Sequence, residues 1–281
     1  MKIIHVIQGT YWRGAEIFFF DLANELSRRG ISQHIIILDG GSAPRLSFQG
    51  CSVSQLPSGR SLMQRILWLG TDIMKVSQAE AASVICHGQS PLKNVVYASF
   101  FGLLRFPPII TIKIGESLPW IKNLKTLRIK FNRILLKKAD TIVALGEKQE
   151  LELLNVFKVS PKLIKVIPNG RTPPDEAQNL SRTRQQNQIL IVGALAPEKN
   201  HLLAFDVLSN VRKTYPDTRL VVLGDGPLRA FLKTRASQRF GSNVIEFKGH
   251  LNDVWPLFFE STLLLLCSKT EGLPGVLVEA A

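Results

Sequence analysis

With 281 residues, 45% of them hydrophobic, the chain is longer than one core usually holds, so two domains are expected. It carries 35 Lys and Arg against 22 Asp and Glu, and the excess is lopsided: residues 1–170 hold 22 basic and 11 acidic side chains, residues 171–281 hold 13 and 11. Three cysteines far apart with no C-x-x-C pair, and five scattered histidines with no i, i+4 pair, exclude a thiolate zinc site on spacing and predict no metal.

The same cysteine usage fits a reducing compartment. The apolar stretch before Gln8 carries a single Lys2 and is too short for a secretory leader, and no run approaches the ~18 apolar residues of a spanning helix. A cytoplasmic protein, or one peripheral on the inner face of the membrane, is expected.

Residues 2–7 read as a strand, 15–29 as a helix stopped by Gly30, and 33–39 as a second strand. Further strands are predicted at 83–86, 109–114 and 141–144. Before the last of these, residues 120–138 place Ile121, Leu124, Leu127, Phe131, Ile134 and Leu135 at helical spacing, with Lys122, Lys125, Arg133 and Lys137 on other faces. Two readings stand side by side. One is a helix resting on anionic lipid headgroups, each cation contributing about 1 kcal/mol; the other is a core helix with a solvated basic face. No aromatic interleaving accompanies the charge, so no nucleic acid partner is predicted.

Residues 171–187, with Pro173-Pro174 and many Gln, Asn, Ser and Arg, interrupt the rhythm and read as a linker. Strands resume at 188–192, 219–223, 244–247 and 262–267. Alternating strands and helices of this kind predict an α/β fold with parallel sheets covered on both faces.

The last eleven residues, EGLPGVLVEAA, put Glu271 and Glu279 eight positions apart around a Pro/Gly loop. In one continuous helix they would stand about 12 Å apart. Pro274 and Gly275 instead predict a loop, with Val276 the first helical residue and helix N–H groups pointing between the two carboxylates. Amides bind phosphate and carboxylates accept bonds from sugar hydroxyls, so the pattern suits a ligand with an anionic middle and hydroxyl-bearing ends, as in a nucleotide sugar. Read alone, the pair is also open to being solvated surface charge.

This segment, taken with others in order, resembles the retaining glycosyltransferases of the GT-B fold, glycosyltransferase family 4, also called glycosyl transferases group 1. The others are HVI at 5–7, RGAE at 13–16, DLANELSRRG at 21–30, ADTIVALGE at 139–147, VIPNG at 166–170, VGALAPEK at 192–199, LGDGP at 223–227 and FKG at 247–249. The resemblance implies two Rossmann-like domains facing across a cleft: an acceptor-side domain at 1–170, the linker at 171–187, and a nucleotide-sugar-binding domain at 188–281. In relatives the helix begun at Glu279 leads on to another strand and final helices, so the second domain is expected to be incomplete. The implied activity is retaining transfer of a sugar from a UDP- or GDP-sugar to a glycan or glycolipid, in cell-surface polysaccharide or lipopolysaccharide assembly. The nucleotide sugar is a co-substrate and no cofactor is implied. The alternative is a truncated, inactive remnant that binds membrane or donor only.

By the same resemblance Lys199 contacts the donor phosphates, Glu271 faces the transferred sugar, Glu279 the ribose, and the amides of Gly275, Val276 and Leu277 lie near the sugar or phosphate. Gly14, in the loop after the first strand, either lets a diphosphate approach the backbone or merely turns the chain; a G-x-G-x-x-G fingerprint is absent. The family more often has an arginine after Gly193, where this chain has Ala194; either activity is lower or another residue, such as Arg13, compensates. On the acceptor side His87 reads equally as an acceptor contact or as strand-end packing. Lys113 and Glu116 stand near where several relatives carry a histidine.

Overall fold

The computed structural model describes residues 2–9, 14–39, 51–57, 59–77, 83–104, 109–114, 126–170, 185–251, 253–269, 271 and 274–280, by backbone alone at 14–17, 109–114 and 126–128. The chain divides into two compact units, Met1–Gly170 and Arg171–Ala281. Most of the stretch read as a linker, and both Arg13 and Glu116, lie outside the described residues.

The first unit runs β1 (Ile3–Ile7), α1 (Gly14–Arg28), β2 (Gln33–Ile37), β3 (Cys51–Gln55), α2 (Leu62–Ser77), β4 (Ser83–His87), α3 (Gln89–Phe100), β5 (Ile109–Ile114), α4 (Thr126–Leu136), β6 (Thr141–Ala144), α5 (Glu147–Asn155) and β7 (Ile164–Val166). Its strands form one parallel sheet in the order β3-β2-β1-β4-β5-β6-β7. β1 and β2 are apolar on both faces because both faces are covered. Ile4, Val6, Ile36 and Leu38 pack with Leu69 and Ile73 of α2, Leu92 and Val95 of α3 and Leu135 of α4. Ile7, Ile35 and Ile37 meet Phe19, Phe20 and Ala23 of α1.

The second unit runs β8 (Gln188–Val192), a 3₁₀ turn (Pro197–Lys199), α6 (His201–Val211), β9 (Arg219–Leu223), α7 (Arg229–Phe240), β10 (Ile245–Gly249), α8 (Trp255–Glu260), β11 (Leu263–Leu264) and α9 (Gly275–Ala280). Its parallel sheet has the order β10-β9-β8-β11. Phe205 and Leu208 of α6 and Leu232 of α7 cover one face, and Leu257 of α8 the other.

Most strand boundaries agree with the sequence reading, with three differences. β3 and β7 were not anticipated; β3, CSVSQ, lies at the sheet edge and is half exposed, so it lacks an apolar run. The strand expected at 262–267 shrinks to Leu263–Leu264, paired with β8. The third difference is in α4, which starts at Thr126, so Ile121 and Leu124 lie outside the described residues. Its core stripe is Asn132, Leu135 and Leu136, while Phe131 and Ile134 point outward, Ile134 being 60% exposed. The apolar spacing therefore serves two faces rather than one.

Candidate active site

In open α/β sheets, ligands sit beyond the carboxyl ends of the strands, where strand order reverses. The second unit reverses between β8 and β11. The loop after β8 ends in the turn Pro197–Lys199, followed by Asn200 in the left-handed region at φ 51°, which redirects the chain into α6. The loop after β11 leads through Lys269 to Glu271. The Lys269 amide donates to the Glu198 carbonyl at 2.8 Å, tying the two loops together. Lys199 Nζ then donates to Glu271 Oε1 at 2.5 Å, with the two side chains 27% and 22% exposed. The resemblance named these as phosphate and sugar contacts, and the fold brings them into one ion pair.

Glycines make room beside that pair. A Cβ on Gly224, whose φ is +134°, would stand 2.0 Å from the Gly193 carbonyl oxygen, and one on Gly226 would stand 2.7 Å from the Leu195 carbonyl oxygen. The loops after β8 and β9 therefore pack backbone to backbone. Gly193 and Leu195 amides donate to the Leu223 and Asp225 carbonyls, and the Leu228 amide to Leu195. Asp225 is paired with Arg229. The Gly226 amide bond first, and Arg229 next, hold its carboxyl below the usual range.

α9 begins at Gly275, one residue before the expected Val276, and carries Glu279. The Leu277 amide already donates to the Pro274 carbonyl at 3.1 Å, so it is engaged within its own turn. Next in chain after Lys199 and Asn200, His201 is 3% exposed, and neither ring nitrogen has a hydrogen-bond partner among the described residues. Burial, then the Lys199 charge, lower its pKa.

The first unit reverses between β1 and β4. Gly14 is the first residue of α1, after β1. Across the gap, Ser90 donates to Gln8 Oε1 at 2.6 Å. His87 closes β4 and pairs in register with Lys113 on β5, so two of the acceptor candidates are cross-strand neighbours. Beneath His87 lies a network the sequence reading missed. Gln33 Nε2 donates to the Ala23 carbonyl, which turns its Oε1 toward His5 Nε2 at 2.9 Å. His5 therefore carries its proton on Nε2, and its Nδ1 accepts from His87 Nε2 at 3.0 Å. Burial pushes His5 down to about 4, against the bond to Gln33, so it stays neutral. Phe19 meets both imidazoles edge-on at 5.3 and 4.8 Å. The one signal in the sequence was a histidine within the apolar strand IIHVI.

Among the described residues no three His, Cys, Asp or Glu side chains cluster as a metal site requires, and no helix is long and apolar enough to cross a membrane.

The sequence pattern of Glycosyltransferase Family 4 matches residues 12–173, and that of Glycosyl transferases group 1 matches residues 174–281. The chain belongs to this family. Family 4 relatives include a Campylobacter jejuni alpha-1,4-N-acetyl-D-galactosaminyltransferase whose name specifies a GalNAc-GalNAc-diNAcBac-PP-undecaprenol acceptor. It is 28% identical over 197 residues, 67% of this chain and 53% of the relative. The chain spans about half the length of that relative or less in the curated proteins it matches. Among solved structures, Anabaena Alr3699/HepE in complex with UDP-glucose aligns at TM-score 0.76 and 18% identity, over 100% of this chain and 78% of that one. WaaG, a glycosyltransferase involved in lipopolysaccharide biosynthesis, aligns at TM-score 0.70 and 16% identity with the same coverage. These alignments establish the GT-B fold.

Proposed function

We propose that the protein transfers a sugar, with retention, from a UDP- or GDP-sugar to a lipid-linked glycan in cell-surface polysaccharide or lipopolysaccharide assembly. The observation that carries this reading is the Lys199–Glu271 pair at the strand-order reversal of the second unit, beside loops packed closely enough to need glycine. Breaking the bond between sugar and diphosphate sends an electron pair to the leaving phosphate oxygen. Lys199 and nearby backbone amides would stabilise that charge. The acceptor oxygen bonds to the anomeric carbon on the same face, and its proton passes to the leaving phosphate. Glu271 would hold the sugar, Glu279 the ribose, and Gly275 and Val276 would contribute amides. With Ala194 where the family more often has arginine, one phosphate cation is missing, and either turnover is lower or Arg13 compensates.

His87 and Lys113 mark the acceptor wall. A lipid-linked acceptor is supported by the Campylobacter relative's printed substrate. Work at the inner face of an anionic membrane is supported by the outward surface of α3 and α4. On and just after these helices Phe100, 81% exposed, Phe101, Phe131, Ile134, Lys130, Lys137 and Lys138 all face solvent.

Thermal unfolding with UDP or GDP tests the donor site. A ligand at one hundred times its Kd adds about 2.7 kcal/mol to stability. We expect one nucleotide to stabilise the wild type, and Lys199→Ala to weaken that nucleotide about 100-fold while leaving the ligand-free melting temperature within a few degrees. Equal stabilisation of both proteins would remove Lys199 from the site.

A further inference from the structure

α2 starts with a capping box: the Gln64 amide donates to Ser61 Oγ at 3.3 Å and the Ser61 amide to Gln64 Oε1 at 3.1 Å. That fixes the helix start and satisfies amides that could otherwise bind an anion. It also fixes which residues the first two turns leave in water. Leu62, Met63 and Leu67 are all large, apolar and exposed, Met63 at 52%. Leu67 is also part of the lining of a groove of about 320 Å³, together with Leu56 and Pro57 just after β3 and Arg60, Gln64 and Trp68. Scattered exposed leucines need no explanation, but Leu62, Met63 and Leu67 stand within six residues at the start of one helix, and Leu67 opens onto this concavity.

Charge narrows the occupant. From Cys51 through Thr71 the chain holds Arg60 and Arg65 and no Asp or Glu. Arg65 Nε is enclosed without a hydrogen-bond partner among the described residues. An apolar groove with the Arg60 guanidinium and no carboxylate in its lining matches a chain that is greasy along its length and charged at its end, because the guanidinium fork fits phosphate oxygens. The groove's volume lies at the small end of ligand sites, enough for the first units of a long chain whose remainder stays in the bilayer. Its place fits too. β3 is two strands from β1, so the groove lies about 12 Å from the β1/β4 reversal, at ~4.8 Å per strand. A short saccharide bridges that span.

We propose that this groove binds the isoprenoid diphosphate end of the acceptor, with Arg60 on the diphosphate and Leu56, Leu67 and Trp68 on the proximal isoprene units. The proposal rests on the reading of the protein as a transferase to lipid-linked glycans. The test uses farnesyl diphosphate as probe, titrated into the full chain by calorimetry and by tryptophan fluorescence.

We expect binding that saturating UDP and GDP leave intact, that farnesol and inorganic pyrophosphate match only weakly, and that Arg60→Glu and Leu67→Asp each weaken about tenfold. Trp68→Phe should keep the binding and lose the fluorescence change. Displacement by nucleotide, or affinity unchanged in both Arg60→Glu and Leu67→Asp, would overturn the groove. Farnesyl diphosphate failing to bind a protein that does bind UDP or GDP would sink this inference and spare the transferase reading. Groove binding without any nucleotide binding would do the reverse.

Discussion

The two strand-order reversals are built from different materials. In the second unit the strand ends are lined by glycines whose backbones touch, and the prominent side-chain feature is one ion pair, Lys199 with Glu271. In the first unit the ends of β1 and β4 are lined by side chains, His5, Phe19, His87, Gln8 and Ser90, and the buried imidazole beneath them is neutral. Bared backbone and a fixed cation suit a phosphate. A wall of neutral polar and aromatic groups suits a sugar.

Glycine substitution probes this difference most sharply. Gly224 and Gly88 both have positive φ, +134° and +109°. A Cβ on Gly224 runs into the Gly193 carbonyl, whereas one on Gly88 meets nothing within 4 Å. Gly224→Ala should therefore cost about 4 kcal/mol, combining backbone strain with overpacking, and Gly88→Ala about 1–2 kcal/mol from strain alone. Urea unfolding of the two variants measures both. Equal costs would mean that the loops after β8 and β9 separate easily, and that backbone packing does not define the second unit's site.

Acid probes the first unit. His5 has a folded pKa near 4, below the unfolded 6.5, so the unfolded chain takes up a proton that the folded chain refuses. Above pH 6.5 both states are neutral and nothing is lost. Between pH 6.5 and 4 stability falls, by about 3 kcal/mol at the lower end. Melting temperatures across that window should decline for wild type, and His5→Phe should flatten the decline even though its melting temperature at pH 7 is lower. A decline that persists undiminished in His5→Phe would place the titration elsewhere.

How much of this was legible in the sequence depended on whether a feature is local. β1, β2, β8 and β9 are short apolar runs bounded by glycine or polar residues, and their pattern alone locates them. β3 is polar and held by its neighbour, so nothing local announces it. Lys199 and Glu271 were legible as family motif positions, but their direct bond spans 72 residues and required the fold. The Gln33–His5–His87 chain likewise joins three strands. Gly224 reads as one glycine of LGDGP, and only the contact with Gly193 explains why no other residue fits.

The smallest predicted effect separates two roles for the ion pair. If Lys199 meets the leaving diphosphate, Glu271 competes with that phosphate whenever the site is empty, because the same Nζ serves both. Lysine has three donors, so the competition is partial, and a pair about a quarter exposed contributes about 0.6 kcal/mol. Glu271→Gln should then bind UDP or GDP about threefold tighter by calorimetry, since removing the pair releases Lys199. Turnover of the matching nucleotide sugar should fall at the same time, since the carboxylate that would hold the sugar is gone. Glu279→Gln removes the other carboxylate of the segment and leaves the pair intact, so it should not tighten binding. If Glu271→Gln weakened the nucleotide, the carboxylate would be what aims Lys199 at the phosphate, and the second unit's anion site would depend on a side-chain bond as much as the first unit's wall does.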